Sequence, residues 1–211
     1  MYLTRMALDI TNRKTLQALS SPSMFHGAVE SALPGERRRN LWRIDQLNGQ
    51  YYLLVLSEDK PDLTQTVKQF AKKNEAWVTK DYAPFLARIQ DGTVWNFRLC
   101  ANPTYSVVQE NGKRGRVCAH STREHQRIWL KNQGEKHGFS LNDDSFDVVH
   151  TQWYHFNKGN KKNRISMLAV TYEGILEVAD AETFRKMLIE GLGREKAYGV
   201  GLMTLVHVER G

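Results

Sequence analysis

Asn48-Gly49 stands between two apolar segments, 39–47 (R-N-L-W-R-I-D-Q-L) and 51–57 (Y-Y-L-L-V-L-S), and no other local feature narrows the fold as much. A two-residue loop that matches the twist of paired strands needs positive φ at both positions. Asn and Gly adopt it at least cost, so the pair predicts an antiparallel hairpin. Around this hairpin the apolar period changes. Residues 2–10 alternate and predict a strand, and Thr11 or Asn12 can cap a helix running through Leu16 and Leu19. Pro22 breaks that pattern or opens a second helix through Met24, Phe25, Val29 and Leu33, which Pro34-Gly35 ends. Beyond the hairpin, Leu63, Val67 and Phe70 give residues 62–73 helical spacing, and 82–90 return to a strand pattern. Strand, helix, strand, strand, helix, strand is the ferredoxin-like order.

The second half repeats this order. Residues 93–108 predict a long strand, bent or interrupted at Pro103, and a basic loop (N-G-K-R-G-R) follows at 111–116. Residues 122–137 read as a helix with Ile128, Trp129 and Leu130 as its apolar part. Two strands, 146–156 and 164–178, flank the polar turn 157–164. A helix over 180–190, capped by Asp180 and burying Phe184, Leu188 and Ile189, precedes a last strand at 200–208. The expected fold class is therefore α+β, with two tandem ferredoxin-like (βαββαβ) domains at 1–90 and 91–211. Each is small for independent folding, so they are expected to pack on each other.

The chain carries a formal net charge of +7 and a pI near 9.4. A basic protein of this kind favours polyanions, of which nucleic acid is the commonest in a cell. No apolar run approaches a bilayer-spanning length, so no membrane association is expected. The opening M-Y-L-T-R-M-A-L-D-I carries Asp9 within its apolar stretch and lacks a small-residue cleavage site, which argues against a signal peptide and for the cytoplasm. Two isolated cysteines, Cys100 and Cys118, make neither a disulfide framework nor a zinc site. No cofactor motif, H-E-x-x-H or acidic two-metal cluster occurs, so neither a metal nor a cofactor is expected.

The basic residues cluster on predicted loops. Arg37, Arg38 and Arg39 enter the first hairpin; Lys113, Arg114 and Arg116 lie on a glycine-bearing loop; Lys158, Lys161, Lys162 and Arg164 crowd one hairpin tip. Loop tips of this charge can reach a phosphate backbone or lie beside a groove. The segment G-L-G-R-E-K-A-Y-G-V-G at 191–201 holds Gly191, Gly193, Gly199 and Gly201 beside Arg194 and Lys196. Its glycines permit close backbone approach, and exposed N–H groups there could take phosphate oxygens. Its spacing matches neither the dinucleotide fingerprint nor a Walker loop. Seven histidines are present, any of which can exchange a proton near neutral pH. Sequence pattern does not separate His26, in S-P-S-M-F-H-G, from His120 or His155.

The opening M-Y-L-T-R, the histidine in the first helical segment, F-R-L-C-A-N-P-T at mid-chain and the C-terminal glycine-rich loop resemble one family. It is the CasE family, the CRISPR-associated repeat-RNA endoribonucleases of the type I-E Cascade complex. The resemblance runs from Met1 to Leu205. It implies two ferredoxin-like domains and binding to the stem-loop of CRISPR repeat RNA. It also implies cleavage of precursor crRNA at the 3′ side of the stem, and retention of the mature crRNA alongside other Cascade subunits.

Carried over by that resemblance, His26 matches the catalytic histidine, and the glycine-rich loop matches one that shapes the RNA-binding face. Ser23 stands where family members often have tyrosine, and its hydroxyl could hydrogen-bond in the site. Lys161 or Lys162 would stabilise charge on the phosphorane. The implied chemistry is metal-independent attack by a ribose 2′-OH, leaving a 2′,3′-cyclic phosphate. Two other readings remain. One is a non-catalytic RNA-hairpin-binding subunit of the same fold, and the other is a small-molecule enzyme or sensor on the same scaffold.

Overall fold

The computed structural model describes residues 1–33, 35, 40–72, 76–108, 115–157 and 164–208. Its first unit comprises β1 (Tyr2–Ala7), α1 (Arg13–Ser20), α2 (Ser23–Ser31), β2 (Leu41–Leu47), β3 (Gln50–Ser57), α3 (Thr64–Phe70) and β4 (Trp77–Asp81), followed by a short helix, α4 (Ala83–Leu86). The sheet order is β2-β3-β1-β4, with all neighbours antiparallel. Asn48 and Gly49 form the β2–β3 turn with φ of 51° and 78°, and Asn12 caps α1 by accepting the Lys14 N–H.

Both faces of this sheet are covered. Leu53 and Val55 point to one side, where Phe25, Val29 and Phe70 from the helices close the core. Leu54 and Leu56 point to the other, where Leu41, Tyr82 and Leu202 meet them. That two-residue alternation lets β3 bind helices with one face and the second unit with the other.

The second unit is built from β5 (Val94–Ala101), β6 (Thr104–Val107), β7 (Arg116–Ala119), α5 (Arg123–His137), β8 (Phe139–Ser140), β9 (Phe146–Asn157), β10 (Arg164–Val178), α6 (Ala181–Glu190) and β11 (Met203–His207). The main sheet path is β11-β5-β10, with β9 along most of β10 and the short β8 beyond it. Trp95, Phe97, Leu99 and Ala101 point under α5 and α6, joining Leu130, Phe184 and Leu188 in one core. The alternate residues Arg98 and Cys100 face the first unit across a cleft.

One irregularity decides what β9 presents. Its register on β10 shifts between Thr171 and Tyr172, with His150 opposite Thr171 and Val148 opposite Tyr172, so Val149 is an extra residue. A one-residue bulge exchanges the two faces of a strand. Phe146 and Val148 belong to the core under the helices. Beyond the bulge, Gln152 and Tyr154 line the cleft instead, and Phe156 packs against the glycine-rich segment.

The structure departs from the sequence reading in three places. The fourth strand is β4 at Trp77–Asp81, and the expected strand at 82–90 instead begins with α4. The Asp81 carboxylate accepts the Ala83 N–H and Pro84 sits in the first turn, so this apolar run starts as a helix. The pattern over 93–108 is interrupted at Pro103, as one of the two expected readings had it, but its two pieces lie in different sheets. After β5 the chain breaks at Asn102-Pro103, and β6 pairs with β7 as a separate ribbon. In α6, Met187 is fully buried and Ile189 only partly so.

Candidate functional site

The two units are joined at a polar seam centred on Arg43 of β2, whose side chain is almost fully buried. Its Nε and Nη2 donate to the two carboxylate oxygens of Asp45 at 2.8 and 2.6 Å. Nη1 donates to the carbonyls of Arg98 and Leu202 at 2.8 and 2.6 Å. Nη2 also donates to Thr204 Oγ1 at 2.7 Å. All five guanidinium N–H groups are thus satisfied, the condition under which a buried charge is tolerated. Arg98 in turn reaches Asp45 at 3.3 Å and pairs with Glu173. Beside this seam lies a cavity of about 630 Å³, lined among others by Phe25, Trp42, Tyr154 and Tyr198.

The glycine-rich segment closes one end of the seam. Gly191 ends α6, and a 3-10 turn at Lys196–Tyr198 follows. Gly199 has φ of 80°, and a Cβ there would lie 2.6 Å from the Trp42 ring. Only glycine lets the backbone come this close in the left-handed region. Trp42 Nε1 donates to the Ala197 carbonyl at 3.1 Å, fastening the turn to β2. Several N–H groups of the segment serve its own fold: Leu192 donates to Gly201, Tyr198 to Glu195 and Gly201 to Cys100.

His26 faces this turn from α2. Phe25, Ala28 and Val29 are buried, which leaves His26 half-buried on the flank of the helix. Its ring meets Tyr198 edge-on, with centroids 5.8 Å apart and planes at 69°. Tyr198 meets Phe156 of β9 in the same manner at 4.9 Å and 68°. His26, the glycine-rich turn and the base of the β9–β10 hairpin therefore converge. Burial, with Glu195 adding to it, pushes the Tyr198 phenol up. Burial pushes Tyr154 up to about 12, and it raises the Cys100 thiol as well.

Several expected residues can be placed. Ser23 lies one turn before His26, and its hydroxyl hydrogen-bonds Ser21 Oγ at 3.2 Å. Arg164 is exposed at the start of β10, at the hairpin base, and Arg194 is exposed on the glycine-rich segment. Arg116 is exposed on the β6–β7 ribbon. Gly193 lies beside Trp129, and Gly201 beside the Leu192 carbonyl. The Lys196 ammonium donates to the carbonyls of Glu190 and Gly191 at 2.8 and 2.5 Å, closing the C-terminus of α6. Arg37, Arg38, Arg39, Lys113, Arg114, Lys158, Lys161 and Lys162 lie outside the described residues.

The rival histidines sit elsewhere. His120 packs on Tyr105 and His125 at the ribbon, and burial followed by the His125 charge lowers its pKa. His155 stacks on Trp153 and hydrogen-bonds Ser166 on the outer face of the hairpin. Among the described residues, no group of three or more His, Cys, Asp or Glu side chains is placed to hold a metal ion. Tyr198, Phe156 and Trp42 escaped the sequence reading. The one available signal was an aromatic residue inside a glycine-rich segment.

Two tandem ferredoxin-like units, with a histidine facing a glycine-rich turn at their junction, define the class of this protein. Residues 1–207 match the family described as CRISPR associated protein, and the chain belongs to it. The chain is 29% identical, over 97% of its length and 99% of the relative's, to CRISPR-associated endoribonuclease Cse3 of Thermus thermophilus. The structure is similar to CRISPR endoribonuclease Cse3 bound to a 19-nucleotide RNA, with a TM-score of 0.80 and 25% identity. That match covers 98% of this chain and 100% of the other. A chain of a CRISPR RNA-guided surveillance complex shares the fold, with a TM-score of 0.73 at 21% identity, covering 99% of this chain and 100% of that one.

Proposed function

We propose that this chain is an endoribonuclease of CRISPR RNA processing. It binds the stem-loop of repeat RNA and cuts precursor crRNA at the 3′ side of the stem. It then stays on the crRNA as a subunit of a Cascade complex in the cytoplasm. The observation that carries the reading is the convergence of His26, the glycine-rich turn and the base of the basic hairpin at one end of the seam. The similarity to an endoribonuclease over nearly the whole chain supports it. The unit spanning 1–90 brings the histidine, and the unit spanning 91–211 brings the hairpin and turn that grip RNA.

In this reading the ribose 2′-OH upstream of the cut attacks the adjacent phosphorus in line. A 2′-O–P bond forms and the P–O5′ bond breaks. The 2′-OH proton leaves to a base, and a proton reaches the departing 5′-oxygen. His26 performs one of these two transfers. The products are a 2′,3′-cyclic phosphate and a 5′-OH. Positioning by the protein and cationic stabilisation of the phosphorane, for which Lys161 and Lys162 are the candidates, supply the rest. Arg164, Arg194 and Arg116 contact phosphates along the stem, and the A-form duplex is read by shape and backbone.

The test uses a labelled repeat hairpin in EDTA with wild type and His26→Ala. Wild type should cut at one site and leave a cyclic phosphate. The variant should cut slower by about 10²–10⁴-fold, the usual contribution of general acid–base catalysis, with RNA affinity nearly unchanged. A 2′-deoxy substitution just upstream of the cut should abolish cleavage and preserve binding. Tight binding without cutting by the wild type would replace this reading with a non-catalytic hairpin-binding subunit.

A further inference from the structure

The contact between His26 and Tyr198 joins the two ends of the chain, and the site is built to hold it. The terminal ring torsion of histidine is broad, so the contacts around His26 choose the plane of its imidazole. Tyr198 lies edge-on to that ring at 5.8 Å, in an arrangement that is attractive as well as space-filling. Three features fix Tyr198 itself. Its N–H donates to the Glu195 carbonyl at 2.9 Å, closing the 3-10 turn. Phe156 supports its ring at 4.9 Å. The next residue, Gly199, lies against the Trp42 ring, so the turn cannot slide along β2. Tyr198 is 7% exposed, which makes it a wall of the site and not a surface group.

We propose that Tyr198 is a positioning residue, whose aromatic ring sets the orientation of the His26 imidazole for proton transfer. The proposal rests on the reading of His26 as the proton-transfer group. Because Phe156 belongs to the hairpin that carries the basic tip, the same stack ties the orientation of His26 to the seating of that hairpin. The ring, not the hydroxyl, performs this role; the phenol is neutral at ordinary pH in any case, and burial pushes its pKa further up.

The experiment compares Tyr198→Phe, Tyr198→Leu and Tyr198→Ala with His26→Ala on a repeat hairpin. Single-turnover rate, hairpin affinity and the pH profile of cleavage are measured together. Misplacement of a catalytic group by about 1 Å can cost up to about 100-fold, so Tyr198→Ala should lose roughly 10- to 100-fold in rate. Its affinity should stay within a few-fold, and the limb of the pH profile that reports His26 should move. Tyr198→Phe should recover most of the rate, and Tyr198→Leu, which fills volume without a ring, should not. If Tyr198→Phe falls as far as Tyr198→Ala, or Tyr198→Leu cuts as fast as wild type, positioning by the ring is overturned. Equal loss of rate and affinity in Tyr198→Ala, with an unmoved pH profile, would also overturn it, because packing alone would then account for the residue. Full activity in His26→Ala would instead remove the underlying reading of His26, an outcome separate from any behaviour at position 198.

Discussion

Arg43 of the first sheet donates to the main-chain carbonyl of Leu202 in the second unit at 2.6 Å, and through this bond the two halves share one buried charge. The guanidinium is satisfied only when both units are in place, because Asp45 lies on its own strand while Arg98, Leu202 and Thr204 belong to the other unit. Removing one partner of a buried charged network costs about 3–5 kcal/mol. Arg43→Met should therefore lower unfolding free energy by about that amount. Arg43→Lys, with three donors in place of five, should recover only part of it. Urea titrations of the three proteins measure the difference, and a loss below about 1 kcal/mol in Arg43→Met would show that the seam is held by its apolar contacts instead.

Gly199→Ala tests the docking of the glycine-rich turn. The new Cβ would lie 2.6 Å from the Trp42 ring in a left-handed conformation. The backbone contributes about 1–2 kcal/mol of cost and overpacking about 1–3 kcal/mol. Thermal unfolding should shift downward, and cleavage should fall further than stability accounts for, because Tyr198 is the preceding residue. A melting temperature equal to wild type would mean that the Trp42 ring yields freely.

Deleting Val149 should cancel the bulge in β9. The strand would then alternate regularly, with Val148 still opposite Tyr172 and His150 opposite Thr171, so Tyr154 and Phe156 should keep the cleft face. The Phe156–Tyr198 contact should survive, and repeat-RNA cleavage should stay within a few-fold of wild type with far-UV circular dichroism unchanged. A sharp loss of cleavage would show that the local twist of the bulge, and not the face alone, seats the hairpin.

Asp147 predicts a pH dependence. The Arg123 guanidinium hydrogen-bonds its carboxylate first, with the Val148 N–H and Arg127 assisting, and together they hold it down at about 2 against an ordinary 3.8. A carboxylate with a lowered folded-state pKa adds stability that is fully present above the unfolded value and disappears as pH falls through the folded one. The stability gap between wild type and Asp147→Asn should therefore be constant above about pH 5 and shrink between about pH 4 and 2. The pair is exposed and screened, so the gap is expected to be small and to narrow with salt. A gap that does not change across this window would assign the role of Asp147 to packing.

Much of this architecture was legible in the chain because its causes are local. Asn48-Gly49 specifies a hairpin through its own backbone, Asn12 and Asp180 cap helices from within one turn, and the apolar run along residues 51–57 marks a strand. The same local information misread residues 82–90, where an apolar run is equally compatible with strand and helix. The Asp81 carboxylate on the Ala83 N–H and Pro84 in the first turn decided for a helix there, while β1 took Trp77–Asp81 as its neighbour. It could not reveal that 93–108 splits between two sheets, because pairing partners lie far away in sequence. Nor could it single out His26 among seven histidines. What sets the surroundings of His26 apart is Tyr198, brought from the far end of the chain by Gly199 lying against Trp42, and Phe156, on the same side of β9 beyond its extra residue. Caps, turns and periodicity act over a few residues and are written in the order of the chain. The meeting of His26, Tyr198 and Phe156 is a long-range packing event, which exists only once both sheets have closed on the Arg43 seam.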